Sequence, residues 1–340
     1  MNVPPRWVRL PLSLVLLAAL AVAATTHPLL VVVAAVLSRG VPGRWRPLRL
    51  LLFALAYLVL EVVGLAVALV LWLASGLGAK VRSPAFQGAH YRVLRLLLAA
   101  LDATARLLFR VDLETDGEGW SPLDDGVAGS PNAMIVLCRH AGPGDSFLLV
   151  RTLLDRDHRR RTRIVLRDTL QLDPLVDVYL NRLPSAWIPS RPAPGQDVTS
   201  AIGRLASGMG DEDALLIFPE GANFSAQRRL RAIDKLRSLG RHGQARRAEA
   251  MPHVLPPRPG GVQAALAAAP YADVVFVAHT GLERFTTPMD LWRGLPMDTV
   301  LHLRWDFVAA ADVPRDPDEQ VEWLYDRWAQ VDAWIGARTG

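Results

Sequence analysis

One cysteine, Cys138, is all that the 340 residues contain, which excludes an intrachain disulfide and suits a reducing cytoplasm. No Cys/His cluster occurs, and His140 lacks a second histidine at ligand spacing, so no metal is expected. The formal charge is +5, from 38 Lys plus Arg against 33 Asp plus Glu. Zinc-finger spacing and an interleaved basic and aromatic face are both missing, so a nucleic-acid partner is not expected. There is no internal repeat, and the only compositionally biased stretch is the Pro-rich patch at Arg191-Pro192-Ala193-Pro194-Gly195. Charge itself is absent over long runs. Leu10 to Ser38 holds no Asp, Glu, Lys or Arg, and Leu50 to Ala79 holds only Glu61.

Each of those runs reaches the ~20 apolar residues that a spanning helix needs. The first is too long for the apolar core of a signal peptide, and the second follows it almost directly. Arg6 and Arg9 precede the runs, Arg39, Arg44, Arg46 and Arg49 separate them, and Lys80, Arg82 and Arg92 follow, so positive charge does not orient them. His27-Pro28 interrupts the first run near its middle, leaving a re-entrant hairpin and a true span both open. Glu61 is read as a carboxylate facing a neighbouring helix or a cleft, or else as a functional intramembrane group. Residues 1–84 are therefore expected to be a membrane-anchoring helical segment and 85–340 one large α/β domain.

In that domain, residues 88–109 carry leucines at helical spacing beside Arg92, Arg95 and Arg106, which suits either the membrane interface or packing on the domain. Short β-rich runs at 133–138, 163–167, 214–218, 273–278 and 300–308 alternate with helix-like stretches such as 146–156, 197–207 and 261–269. This pattern predicts an α/β fold with a mostly parallel sheet flanked by helices. Two of the runs, 133–137 and 214–218, are continuously apolar, as strands covered on both faces are. Sites in such sheets form beyond the carboxyl ends of the strands.

Both chemistry-bearing segments fall there. The first run leads into Arg139-His140-Ala141-Gly142-Pro143-Gly144-Asp145. The tight loop can return Asp145 to the imidazole, fixing its tautomer and leaving the other nitrogen to accept a hydroxyl proton. The plainer alternative is that Asp145 only caps a helix. The 214–218 run ends in Phe218-Pro219-Glu220-Gly221, placing a carboxylate and a flexible glycine at the same sheet edge.

His140-x4-Asp145, followed about eighty residues later by Phe218-Pro219-Glu220-Gly221, resembles two signature blocks of the glycerolipid acyltransferases, the 1-acylglycerol-3-phosphate acyltransferase superfamily. A block between them in that family ends in an arginine that binds the acceptor phosphate, and Trp187-Ile188-Pro189-Ser190-Arg191 is similar to it, so the resemblance implies Arg191 as phosphate ligand. Phe224-Ser225-Ala226-Gln227-Arg228-Arg229 and the segment from His253 through Arg258 to Gly261 look like the lysocardiolipin and lysophosphatidylinositol acyltransferase branch. The sequence departs from the family at Arg139, where Asn or Ser is usual, at Ala222, usually Thr, and at Val274 to Ala278, which lacks the usual proline.

The implied activity is transfer of a fatty acyl group from acyl-CoA or acyl-carrier protein to a free hydroxyl of a lysophospholipid, such as 1-acyl-glycerol-3-phosphate. His140 is the expected base, oriented by Asp145; Arg191, Glu220, Gly221 and Arg258 are expected at the substrate; no cofactor beyond the co-substrate is implied. Backbone amides of the glycine-rich loop or around Gly221 are the expected oxyanion donors. The basic run from Arg228 to Arg247 and the cluster from Arg156 to Arg163 are read as solvated surface or as contacts to headgroups or to CoA. Membrane lipids and acyl-CoA are the expected partners, at the cytoplasmic face of the cell membrane. Two other readings stay open: a non-catalytic lipid-binding membrane protein of the same fold, and a GDS-type serine esterase acting through Ser146. The esterase lacks its late Asp-x-x-His pair, since neither His279 nor His302 has Asp three residues before it.

Overall fold

The computed structural model describes the chain except for residues 1–2, 10, 117–131, 143, 156–159, 190–196, 282, 284–287 and 340. Arg191, the Pro-rich patch and Arg156 thus lie outside the described residues. The strands are β1 (Val111–Asp116), β2 (Met134–Cys138), β3 (Arg161–Arg167), β4 (Ser185–Ile188), β5 (Asp213–Ile217), β6 (Asp273–Thr280) and β7 (Thr299–Val308). They form one mixed, mostly parallel sheet in the order β1-β7-β6-β2-β5-β3-β4. β2 pairs in parallel with β5 and with β6, β5 with β3, and only β6 against β7 is antiparallel in the pairings described.

The central strands are apolar on both faces. Every residue of β2 and β6 is buried, including Met134, Ile135 and Val136 at 0% exposure, so the period-2 alternation of a half-exposed strand is absent. Helices Asp145–Leu153 (α5), Thr199–Ala206 (α7), Pro259–Ala268 (α10) and Pro317–Thr339 (α12) belong with this sheet. The sequence pattern does not announce β1 or β4: β1 reads Val-Asp-Leu-Glu-Thr-Asp, too charged to stand out, and β4 is four residues long.

The chain divides into two compact units, each assembled from separated stretches. One consists of residues 1–112, 166–191 and 287–299. Its long helices are α2 (Leu12–Gly40), α3 (Arg46–Ala74) and α4 (Pro84–Phe109), joined by α6 (Pro174–Leu180) and α11 (Pro288–Gly294). α2 runs through His27-Pro28 without a break, because Pro28 forfeits one backbone bond while the turns on either side continue. Among the described residues α3 is the one helix long and apolar enough to cross a membrane. α4 packs on α3, and Leu97 of α4, Ala68 of α3 and Tyr179 of α6 share a buried cluster.

The other unit, residues 113–165, 192–286 and 300–340, holds most of the sheet. Its basic run forms two helices, α8 (Ala226–Ser238) and α9 (His242–Glu249). Several of these arginines serve the fold. Arg229 donates to the carbonyls of Ala248, Glu249 and Met251, Arg237 pairs with Asp234 and Glu249, and Arg247 with Glu322 and Asp326.

Candidate active site

Because β2 and β5 are adjacent and parallel, the loops that leave them emerge side by side, and they bring His140 next to Glu220. The His140 backbone is held at both ends: its N–H donates to Glu220 Oε2 at 3.1 Å, and its carbonyl accepts from the Phe224 N–H at 2.6 Å. The imidazole lies against Phe218, with centroids 4.6 Å apart and planes tilted by 34°. Its side chain remains 21% exposed, whereas that of Asp145 is 0% exposed.

Asp145 opens α5 and turns back under the loop. Its Oδ2 accepts from the Ala141 N–H at 2.7 Å and the Gly142 N–H at 2.8 Å, and stands 3.2 Å from His140 Nδ1. This network assigns the proton to Nδ1 and leaves the Nε2 lone pair available. Burial alone would raise the Asp145 carboxyl, but His279, the His140 hydrogen bond and the Gly142 amide together hold it below the ordinary carboxylate range. An imidazole so arranged can accept a proton while a fixed anion stabilises the resulting imidazolium.

Two of the amides expected as oxyanion donors are otherwise engaged. The Gly142 N–H goes to Asp145 and the Gly221 N–H to the Phe218 carbonyl at 3.0 Å. A loop that folds an aspartate back onto its own amides spends those amides on the aspartate.

Glu220 is 1% exposed, and its two oxygens accept from the backbone N–H groups of His140 and of Leu255, the latter at 3.0 Å. Burial pushes its carboxyl up to about 8 against the pull of Arg139 and the two amides. The side chain therefore ties the β2 and β5 loops to the 253–258 segment. Gly221 has φ +68°, a conformation that costs an L side chain ~1–2 kcal/mol, and a Cβ there would sit 3.1 Å from Arg258 Nη1. Arg258 is exposed, and its backbone N–H donates to the Pro219 carbonyl at 2.9 Å. His140, Asp145, Glu220, Gly221 and Arg258 are thus gathered into one place.

Two residues here carried no role in the sequence. Arg139, 1% exposed, donates to the carbonyls of His279 and His253 at 2.9 Å each, pairs with Glu283, and lies over the Phe224 ring at 5.4 Å. His279, at the end of β6 and 3% exposed, has Nε2 3.1 Å from the Arg139 carbonyl and 3.6 Å from Asp145 Oδ2. The strand pairing of β6 with β2 puts it there, a long-range relation that spacing along the chain does not reveal. The Arg139 departure has a use: the guanidinium fastens the two segments behind the histidine.

The model of the acyltransferase family matches residues 127–280, a stretch that contains every residue of this cluster except Glu283. No curated protein and no solved structure matches the chain. The α/β architecture, the paired loops at the strand ends and the family match agree: over residues 127–280 the chain matches the acyltransferase family, which supports the glycerolipid acyltransferase superfamily.

Proposed function

We propose that this acyltransferase moves a fatty acyl group from a thioester donor, acyl-CoA or acyl-carrier protein, to the free hydroxyl of a lysophospholipid. The observation that carries the reading is the His140 to Asp145 contact, which engages Nδ1 and leaves Nε2 free of the carboxylate on a partly exposed ring. In this scheme Nε2 takes the proton of the acceptor hydroxyl as its oxygen attacks the thioester carbonyl. The new ester bond forms, the C–S bond breaks, and the proton passes to the leaving thiolate. Asp145 stabilises the imidazolium in between, so no acyl-enzyme is needed.

Arg258, exposed beside Gly221, and Arg191 are proposed to hold the acceptor phosphate, a task suited to the planar guanidinium fork. Glu220 is a positioning residue, since it touches the His140 backbone. The acceptor reading draws on the resemblance of the 224–229 and 253–261 segments to the lysophospholipid-acylating branch, with 1-acyl-glycerol-3-phosphate or a related lysophospholipid as substrate. The apolar α3 suits an acceptor that resides in a membrane, and a thioester donor places the reaction at the cytoplasmic face.

The test is to incubate the purified full chain with labelled acyl-CoA and a panel of lysophospholipids, following thiol release and labelled lipid. Label in a diacyl product with one headgroup, lost in His140→Ala, supports the reading. Thiol release with none of the acceptors, by folded protein supplied with either donor, overturns it.

A further inference from the structure

We propose that α12, which lies beyond the residues matching the acyltransferase family, sets the affinity for the acceptor by holding the 253–258 segment in place, with Trp328 and Asp332 as positioning residues for Arg258. The inference deepens the proposed function, because it rests on the reading of Arg258 as a ligand of the acceptor phosphate.

Residues 253–258 form neither helix nor strand, yet Val254, Leu255, Pro256 and Pro257 are buried. Buried backbone needs a partner for each N–H and C=O, and here the partners are side chains from elsewhere in the same unit. His253 is held at both ends. Its N–H donates to Asp332 Oδ1 at 2.6 Å, and its carbonyl accepts from Arg139 at 2.9 Å. Leu255 is held the same way: its N–H donates to Glu220 Oε1 at 3.0 Å, and its carbonyl accepts from Trp328 Nε1 at 3.0 Å. At each of the two residues one bond comes from the loops around His140 and the other from α12.

The inner face of α12 is shaped by this contact. Leu324, Trp328, Val331 and Ile335 recur at helical spacing, all of them buried. Asp332 stands among them at 6% exposure, where a carboxylate without a hydrogen-bond donor would be costly. Packing against the sheet gives no reason for a carboxylate there, whereas the His253 N–H does. One turn further, Gly336 makes room for the His253 ring, since a Cβ would fall 3.0 Å from its Nε2.

The held segment leads directly to the site. Between Leu255 and Arg258 stand two prolines, whose rings fix φ and remove the freedom that would absorb a shift. A displacement of the Leu255 carbonyl therefore reaches Arg258, whose guanidinium lies against Gly221. A guanidinium recognises a phosphate through directional, paired N–H groups, so a small displacement weakens that recognition. The His140 to Asp145 contact includes no atom of α12 and keeps its geometry. Loss of an α12 bond thus falls on acceptor binding and spares the chemical step.

The test is steady-state thiol release by the full chain, with acyl-CoA and 1-acyl-glycerol-3-phosphate each varied. Trp328→Phe keeps a ring and loses the N–H, Asp332→Ala loses the acceptor for His253, and Asp332→Asn keeps a carbonyl oxygen for it. The first two should raise the acceptor KM about 3- to 10-fold, the worth of one hydrogen bond, at unchanged donor KM and unchanged kcat. Asp332→Asn should stay near wild type. Where Asp332→Ala fails to fold, Trp328→Phe decides alone. A purely structural helix would instead lower the active fraction, and a fall in kcat with both KM values fixed overturns the inference. In an Arg258→Ala background, which itself raises the acceptor KM, adding Trp328→Phe should raise it no further. A full additional rise would show that α12 acts elsewhere and likewise overturn the inference. An acceptor KM untouched by Arg258→Ala would instead refute the phosphate reading beneath it.

Discussion

Replacing Asp145 with asparagine separates the charge of this residue from its hydrogen bonds. All the donors around Asp145 converge on Oδ2, at 2.7 Å from Ala141, 2.8 Å from Gly142 and 3.2 Å from His140 Nδ1, while its buried Oδ1 has no hydrogen bond among the described residues. An asparagine can therefore present its carbonyl oxygen to the same three donors and turn its amide toward the unpartnered side. The fold and the His140 tautomer survive, and only the negative charge goes. At 3.2 Å and an effective dielectric of ~20, a carboxylate stabilises an imidazolium by about 5 kcal/mol, which corresponds to nearly four decades in rate.

Because Asp145 is buried behind His140, the loss should fall on kcat. We expect Asp145→Asn to lower kcat ~10³- to 10⁴-fold with both KM values within a factor of a few and the melting temperature little changed. Asp145→Ala is the contrast, since it also strips two buried amides of their acceptor at ~1–3 kcal/mol each and should lower stability as well. Steady-state thiol release at saturating donor and acceptor reads both variants. A folded Asp145→Asn enzyme retaining more than a tenth of wild-type kcat would refute the base assignment and leave Asp145 as a helix cap.

The two buried carboxylates should give pH effects of opposite sign. Asp145 is held below its unfolded value, so its stabilising contribution is complete above pH ~4 and is lost as pH falls further through the lowered folded value. Chemical denaturation of Asp145→Asn should show a shallower acid decline than wild type. Glu220 is raised to about 8, so the folded state binds the extra proton, and its contribution fades as pH rises from ~4.5 to about 8. Glu220→Gln should remove that slope, at a constant cost of ~1–3 kcal/mol because one amide oxygen must serve two backbone N–H groups. His279→Leu leaves the Arg139 carbonyl without its imidazole partner and should lower kcat ~10-fold or more at unchanged KM, whereas His279→Gln keeps an N–H donor and should recover most of it. Equal loss in both variants would assign His279 to packing alone. Gly221→Ala places a methyl 3.1 Å from Arg258 Nη1 and should raise the acceptor KM several-fold while the donor KM stays put.

What the sequence disclosed and what it withheld follow from the range of each interaction. The sheet was legible because β2, β5 and β6 are continuous apolar runs, a local property of strands buried on both faces. His140 and Asp145 were legible because they lie five positions apart across a tight loop, and the two motifs could be set side by side once a parallel sheet was inferred. Arg139 looked like a deviation and His279 like an unassigned histidine, since their partners lie 114 to 144 residues away.

Glu61 shows the same limit from the other side. An acidic residue inside an apolar run signals only that something must meet it, and that something, the Leu175 N–H, is 114 positions distant. Its partner belongs to the segment that runs on toward Trp187 and Arg191, the stretch proposed to recognise the acceptor headgroup. A carboxylate that looks like a flaw in a membrane helix is therefore an attachment point for that stretch, and cutting the attachment should disturb acceptor use before donor use. Glu61→Gln keeps an acceptor for the Leu175 N–H, while Glu61→Leu removes it. An acceptor KM raised in the leucine variant and near normal in the glutamine variant, at constant donor KM, is the expected pattern. A change in kcat alone would break the link between α3 and the acceptor.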